Sequence, residues 1–182
     1  MHYQSTIKLK DGRDCVLRNA GAEDAEEVIR IFERTHDETD YLLSYPDEST
    51  LTKEGEEEFL KKQTESENAI ELFALVDGVP VGLAGFSPVG DKEKVRHRAD
   101  YGISILKEYW GLGIGRALTN ACISCAKAAG YEQMELQVVA ENKAAIRLYE
   151  SLGFTEYGRN PKGFRSRITL WQELILMRLE LN

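Results

Sequence analysis

The sequence predicts a mixed α/β fold of the α+β kind, a mostly antiparallel twisted sheet flanked by helices. Two observations carry this expectation. Three apolar, partly β-branched runs follow one another between residues 69 and 106, the pattern of a meander. Strand-like and helix-like periodicities then alternate to the C-terminus as strand, helix, strand, helix, strand.

The elements follow in order. Ile7, Leu9, Val16 and Leu17 flank Asp11-Gly12, a dipeptide that favours a hairpin turn. Ala25, Val28, Ile29 and Phe32 then form the apolar face of a helix. Residues 36–52 read as irregular, with Tyr41-Leu42-Leu43-Ser44-Tyr45-Pro46 apolar enough to lie over core or substrate. A second helix is expected over residues 52–64, with Glu in its first turns where the helix dipole favours it. Residues 69–76, 80–86 and 99–106 are the meander, with Asp77-Gly78 as its first turn. Ile114, Ala117, Leu118, Ala121, Cys122 and Cys125 recur at i, i+3, i+4, i+7, a helix that Gly130 stops. Residues 134–139 read as a buried strand. Asn142 opens a helix with the stripe Ala145, Leu148, Tyr149, Leu152, and Gly153 closes it. Residues 168–181 form the last strand. No linker composition or repeat interrupts the chain, which predicts one domain over residues 1–182.

Composition narrows the function classes. Of 182 residues, 42% are apolar and 30% charged, ordinary for a folded domain. The net charge of -8 argues against nucleic acid as partner. No apolar run reaches the ~20 residues that span a bilayer, and the N-terminus lacks a secretory core, so the expectation is a cytoplasmic protein with no membrane partner. Cys15, Cys122 and Cys125 are an odd set; the C-x-x-C pair lies inside a helical stripe without a second pair or a nearby His, so it reads as core and no metal site is expected. The acidic residues of positions 23–58 read as solvated helix faces, or as a negative rim for a cationic amine.

The segment Trp110-Gly111-Leu112-Gly113-Ile114-Gly115-Arg116 carries the chemistry. Glycines between a strand and a helix let backbone N–H groups turn into one concavity, and the helix N-terminus adds its positive end. A pyrophosphate suits that site, with Arg116 as a charged partner. A P-loop needs Gly-Lys-Ser/Thr, and Gly115 is followed by Arg116-Ala117. A dinucleotide fingerprint needs glycine where Arg116 stands.

Ile103-x-Ile105, Tyr109-Trp110-Gly111-Leu112-Gly113-Ile114-Gly115-Arg116-Ala117-Leu118 and then Asn142-x-x-Ala145-x-x-Leu148-Tyr149-Glu150-x-Leu152-Gly153-Phe154 resemble, in order and spacing, the two signatures of the GCN5-related N-acetyltransferases (GNAT). The resemblance implies acetyl-CoA as co-substrate and transfer of acetyl to a primary amine, on a small molecule, a protein N-terminus or a lysine. It implies a parallel strand pair splayed at the cofactor site, with the pantetheine arm along the backbone of Ile103 and Ile105. It implies cofactor contacts from Gly111, Leu112, Gly113, Ile114, Gly115, Arg116, Asn142 and Ala145, and an oxyanion donor near the Ile105 amide. Tyr149 falls at the family's general acid. The base falls on the strand before the loop, where Asp100 and His97 are candidates and Asp100 is preferred. Trp110 departs from the family's Arg or Gln, so one side-chain partner of the pyrophosphate is lost, worth about 1–2 kcal/mol. Tyr41, Tyr45 and the carboxylates Asp37, Glu38 and Asp40 suit a cationic acceptor held by cation–π and ionic contacts. The alternative is a non-catalytic acyl-CoA sensor on the same fold. The final strand could pair with a second copy of the chain as a homodimer.

Overall fold

The computed structural model describes residues 1–181. Eight strands and four α-helices form a single mixed sheet with helices on both faces. The strands are β1 (Gln4–Lys8), β2 (Asp14–Asn19), β3 (Ile70–Val76), β4 (Val79–Pro88), β5 (Arg98–Ile105), β6 (Gln133–Val139), β7 (Thr155–Ser166) and β8 (Leu170–Glu180). The helices are α1 (Ala25–Glu38), α2 (Lys53–Glu65), α3 (Ile114–Ala128) and α4 (Lys143–Ser151). Strand order is β1-β2-β3-β4-β5-β6-β8-β7. Every neighbouring pair is antiparallel except β5 and β6.

Local chemistry explains most boundaries. The Asp77-Gly78 turn has positive φ at both residues, 52° and 79°, the backbone a tight hairpin between right-twisted strands needs. Thr52 caps α2 by accepting the Gly55 N–H, and Asn142 caps α4 by accepting the Ala145 N–H at 3.2 Å. Gly130 and Gly153 end α3 and α4 with φ of 82° and 95°. The core is continuous across β3, β4, β5, β6 and α3, with Phe73, Leu72, Leu118 and Met134 at zero exposure. Cys122 and Cys125 lie in it as buried free thiols. No helix of the described residues is long and apolar enough to cross a membrane.

Four expectations change. The inner face of α1 is Ala25, Val28, Ile31 and Thr35, while Ile29 and Phe32 are half-buried at its margins. α1 also continues through Glu38, into the stretch read as irregular. β7 had no counterpart in the sequence reading: Gly158, Asn160, Pro161 and Gly163 look like a loop. It exists because β8 offers a ladder that tolerates register shifts between Glu156 and Gly158 and between Asn160 and Phe164. The last strand therefore starts at Leu170, whose φ of 68° marks the hairpin turn.

Candidate active site

Parallel pairing of β5 with β6 runs only from Arg98↔Gln133 to Asp100↔Glu135. Beyond it the two strands separate. Each is held on its far side by an antiparallel ladder: β5 by β4 as far as Gly82↔Ile105, and β6 by β8 as far as Val139↔Leu174. The separation opens a cleft of about 790 Å³. The Leu106 N–H donates to Val81 O at 2.9 Å, toward β4. Backbone groups alternate along a strand, so those of Ile103 and Ile105 face the gap.

One end of the cleft is the glycine loop. Gly111 and Gly113 have φ of 79° and 103°, and a Cβ on either would meet nothing within 4 Å; conformation, not space, requires glycine there. Gly113 is the N-cap of α3, so the first N–H groups of that helix end at the cleft. At Gly115 a Cβ would lie 3.2 Å from Leu148 Cδ2 of α4, so a side chain there would make the leucine give by a few tenths of an ångström. Gly111, Gly113, Ile114, Gly115, Arg116, Asn142 and Ala145 all line the cleft, as do Ile103 and Ile105. Leu112 does not; it packs against the core, and its carbonyl accepts the Lys10 N–H at 3.2 Å. Arg116 donates to Ser151 Oγ at 2.7 Å. Lys10 and Arg147, which the sequence reading did not single out, also line the cleft and add cationic groups to this end. Trp110 turns back and donates its indole N–H to the Ile105 carbonyl at 2.7 Å. The residue that replaces the family's Arg or Gln thus braces the strand edge.

Tyr149 and Asp100 line the middle of the cleft. The Tyr149 ring is buried, edge-on to Tyr101 and tilted against Phe154. Its hydroxyl has no hydrogen-bond partner among the described residues, and burial pushes its ionisation well up. Asp100 is raised too, first by desolvation and then by the charge of Glu135 across the parallel pair. Glu135 itself is held low by the Arg98 guanidinium, which grips both carboxylate oxygens. His97 does not line the cleft; its carbonyl accepts the N–H groups of Glu132 and Gln133 at 3.0 and 3.2 Å.

At the other end, Tyr41, Leu42 and Leu43 join Phe164 of β7 along the wall. Phe164 was hidden from sequence reading because its strand was. Two carboxylates of the expected acidic rim, Asp40 and Glu38, are engaged within the protein. The Asp40 carboxylate accepts from Tyr45 Oη at 3.0 Å, Ser166 Oγ at 2.6 Å and Gln172 Nε2 at 3.0 Å. Glu38 accepts the Lys107 N–H at 2.7 Å. The face of Tyr45 is covered by the Arg167 guanidinium at 4.1 Å. These groups pin the loop after α1 to the β7–β8 hairpin and so shape the cleft.

Comparison with known proteins agrees with this geometry. Residues 27–154 match the acetyltransferase (GNAT) family. An acetyltransferase of the GNAT family from Streptococcus pneumoniae is 32% identical, with a TM-score of 0.87 covering 91% of this chain and 99% of that one. A putative acetyltransferase from Salmonella typhimurium, solved with acetyl-CoA, shares the fold at 23% identity, with a TM-score of 0.81 over 92% of this chain and 94% of that one. The L-amino acid N-acyltransferase MnaT of Escherichia coli is 27% identical over 106 residues, 58% of this chain. The chain spans only 61% of that relative's length. A splayed parallel pair, a left-handed glycine loop at a helix N-terminus and the family match over residues 27–154 lead to one conclusion: the chain belongs to the GNAT acetyltransferase family.

Proposed function

We propose that the protein is an acetyl-CoA-dependent N-acetyltransferase acting on a primary amine, with residues 1–182 as one acetyltransferase domain. The observation that carries this reading is the gap between β5 and β6, which leads from the Ile103 and Ile105 backbone edge to the N-terminus of α3. That sequence of features suits an extended amide-bearing arm followed by a pyrophosphate. Acetyl-CoA supplies the acyl group as an activated thioester. The loop amides at Gly111, Gly113, Ile114 and Gly115 bind the phosphates, with Arg116, Lys10 and Arg147 as counter-charges. Ile103, Ile105, Asn142 and Ala145 hold the arm; Asn142 uses its side-chain NH₂, since its Oδ1 caps α4.

Asp100 accepts the proton that the acceptor ammonium must lose before its nitrogen becomes a nucleophile. Its raised pKa brings it nearer to the amine it must deprotonate. Tyr149 lines the cleft and stays neutral because of its burial; in this reading its hydroxyl donates a hydrogen bond to the departing sulfur. The Ile105 amide faces the same gap and stabilises charge on the acyl oxygen. A small acceptor amine is favoured by the aromatic and aliphatic wall of Tyr41, Leu42 and Phe164, and by the likeness to an L-amino acid N-acyltransferase. A cytoplasmic location is part of this reading and suits three free thiols.

The test is a calorimetric titration with acetyl-CoA, followed by an acceptor panel of amino acids, diamines and peptide N-termini. Saturable acetyl-CoA binding and release of free CoA thiol that requires an amine are expected. Binding without transfer to any amine would favour the sensor reading instead.

A further inference from the structure

One ionisable group near the cleft is left without a task. Glu71 stands in β3, an otherwise apolar strand, and its carboxylate has no hydrogen bond or ion pair among the described residues. Arg18 on the adjacent strand is taken by Asp24, with hydrogen bonds of 2.6 and 2.8 Å. The β3–β4 and β4–β5 registers place Glu71, Gly85 and Gly102 in one row across three strands. A Cβ on Gly85 would collide with Glu71 Oε2, so the carboxylate lies over that glycine. A Cβ on Gly102 would meet nothing within 4 Å, and Gly102 lines the cleft. Two adjacent strands, about 4.8 Å apart, therefore present no side chain between the carboxylate and the acceptor space. Glu71 as a whole residue is half-buried.

We propose that Glu71 is a second proton acceptor for acetyl transfer, reached from the cleft over Gly102 and Gly85. This rests on the reaction assigned above. The N–H bond of the acceptor ammonium breaks, its electron pair stays on nitrogen as the nucleophile, and the proton, taken first by Asp100, passes on through a water above Gly102 to Glu71 Oε2. Asp100 shares this sheet face with Gly102 and is the first carboxylate the amine meets.

The surroundings suit a base that works near neutrality. Burial, and next the charge of Glu56 in the first turn of α2, push the Glu71 carboxyl up to about 8. Tyr101 of β5 and Cys122 of α3 are the other titratable groups within its field, and both stay neutral because burial raises them. Ordinary carboxylates are ionised long before an amine gives up its proton; this one is better matched.

The test compares Glu71→Gln with wild type in full-length protein, using kcat/KM for the acceptor from pH 5.5 to 10 and acetyl-CoA binding by calorimetry. Wild type should show an acid limb near 8. The variant should lose it, with kcat down on the order of 10²-fold at pH 8.5 and acetyl-CoA affinity unchanged. Gly102→Ala puts a methyl on the route at a site with room for it and should weaken the same limb. Carbon-13 NMR of glutamate-labelled protein reads the carboxyl without turnover: a resonance titrating near 8 should vanish in Glu71→Gln. An unshifted limb with unchanged kcat, a change confined to the acceptor's KM, or no such resonance overturns the proposal. Wild type that fails to bind acetyl-CoA would remove the acetyl-transfer reading, a different failure that the NMR result separates.

Discussion

Replacing Glu71 by Gln should stabilise the protein at alkaline pH and do nothing for it in acid. In the folded chain the carboxyl is raised from 4.5 to about 8, chiefly by burial. The unfolded chain releases the same proton near 4.5. Between those values the folded state binds more protons than the unfolded one, so stability falls as pH rises through the window. The contribution is intact below about pH 4.5 and lost above about pH 8. At about 1.36 kcal/mol per pH unit the displacement caps the effect near 5 kcal/mol. The side chain keeps part of its surface open, and water relieves part of that penalty. We expect about 2 kcal/mol. Glutamine has the same shape and no proton to lose. Thermal unfolding at pH 5, 7 and 8.5 should show two stability–pH curves that converge at pH 5 and separate steadily, with the variant ahead by about 4–8 °C in melting temperature at pH 8.5. Parallel curves, or a variant less stable at pH 8.5, would refute the account of a desolvated carboxylate.

Three other outcomes follow from the site. Tyr149→Phe should lower kcat by roughly 10²-fold while leaving the acetyl-CoA Kd within about twofold, because the hydroxyl meets the sulfur only as it leaves; equal turnover in steady state would end that role. Gly113→Ala must hold a side chain at φ 103°, at a cost of about 1–3 kcal/mol, and should weaken acetyl-CoA binding measured by calorimetry with little change at saturating cofactor. Asp40→Ala should unpin the loop after α1 by stranding Tyr45, Ser166 and Gln172, lowering stability by about 1–3 kcal/mol and raising the acceptor KM, whereas Asp37→Asn on the exposed side should change neither.

Much of this site is local chemistry, and local chemistry is legible in sequence. The Asp77-Gly78 turn, the Thr52 and Asn142 caps and the glycines at 113, 130 and 153 each answer a backbone demand set by their immediate neighbours. The glycine loop belongs to the same class, since the positive φ at Gly111 and Gly113 is a conformation that glycine adopts readily. A different kind of error came with β7. Its breakers look like a loop because strand formation there depends on β8, a partner that local patterning does not display. The partners of Asp40 are hidden from the sequence for a related reason: its bond with Ser166 is a contact 126 positions away.

Periodicity, caps and left-handed glycines are short-range, so the sequence shows the order of the elements other than β7, the glycine loop and the second signature. Long-range packing is what sets Leu112 against the core, braces Ile105 with Trp110, keeps His97 out of the cleft lining, and brings Glu71 into a row with Gly85 and Gly102. Strand register sets those neighbours, and register is chosen by the whole sheet as it buries its faces.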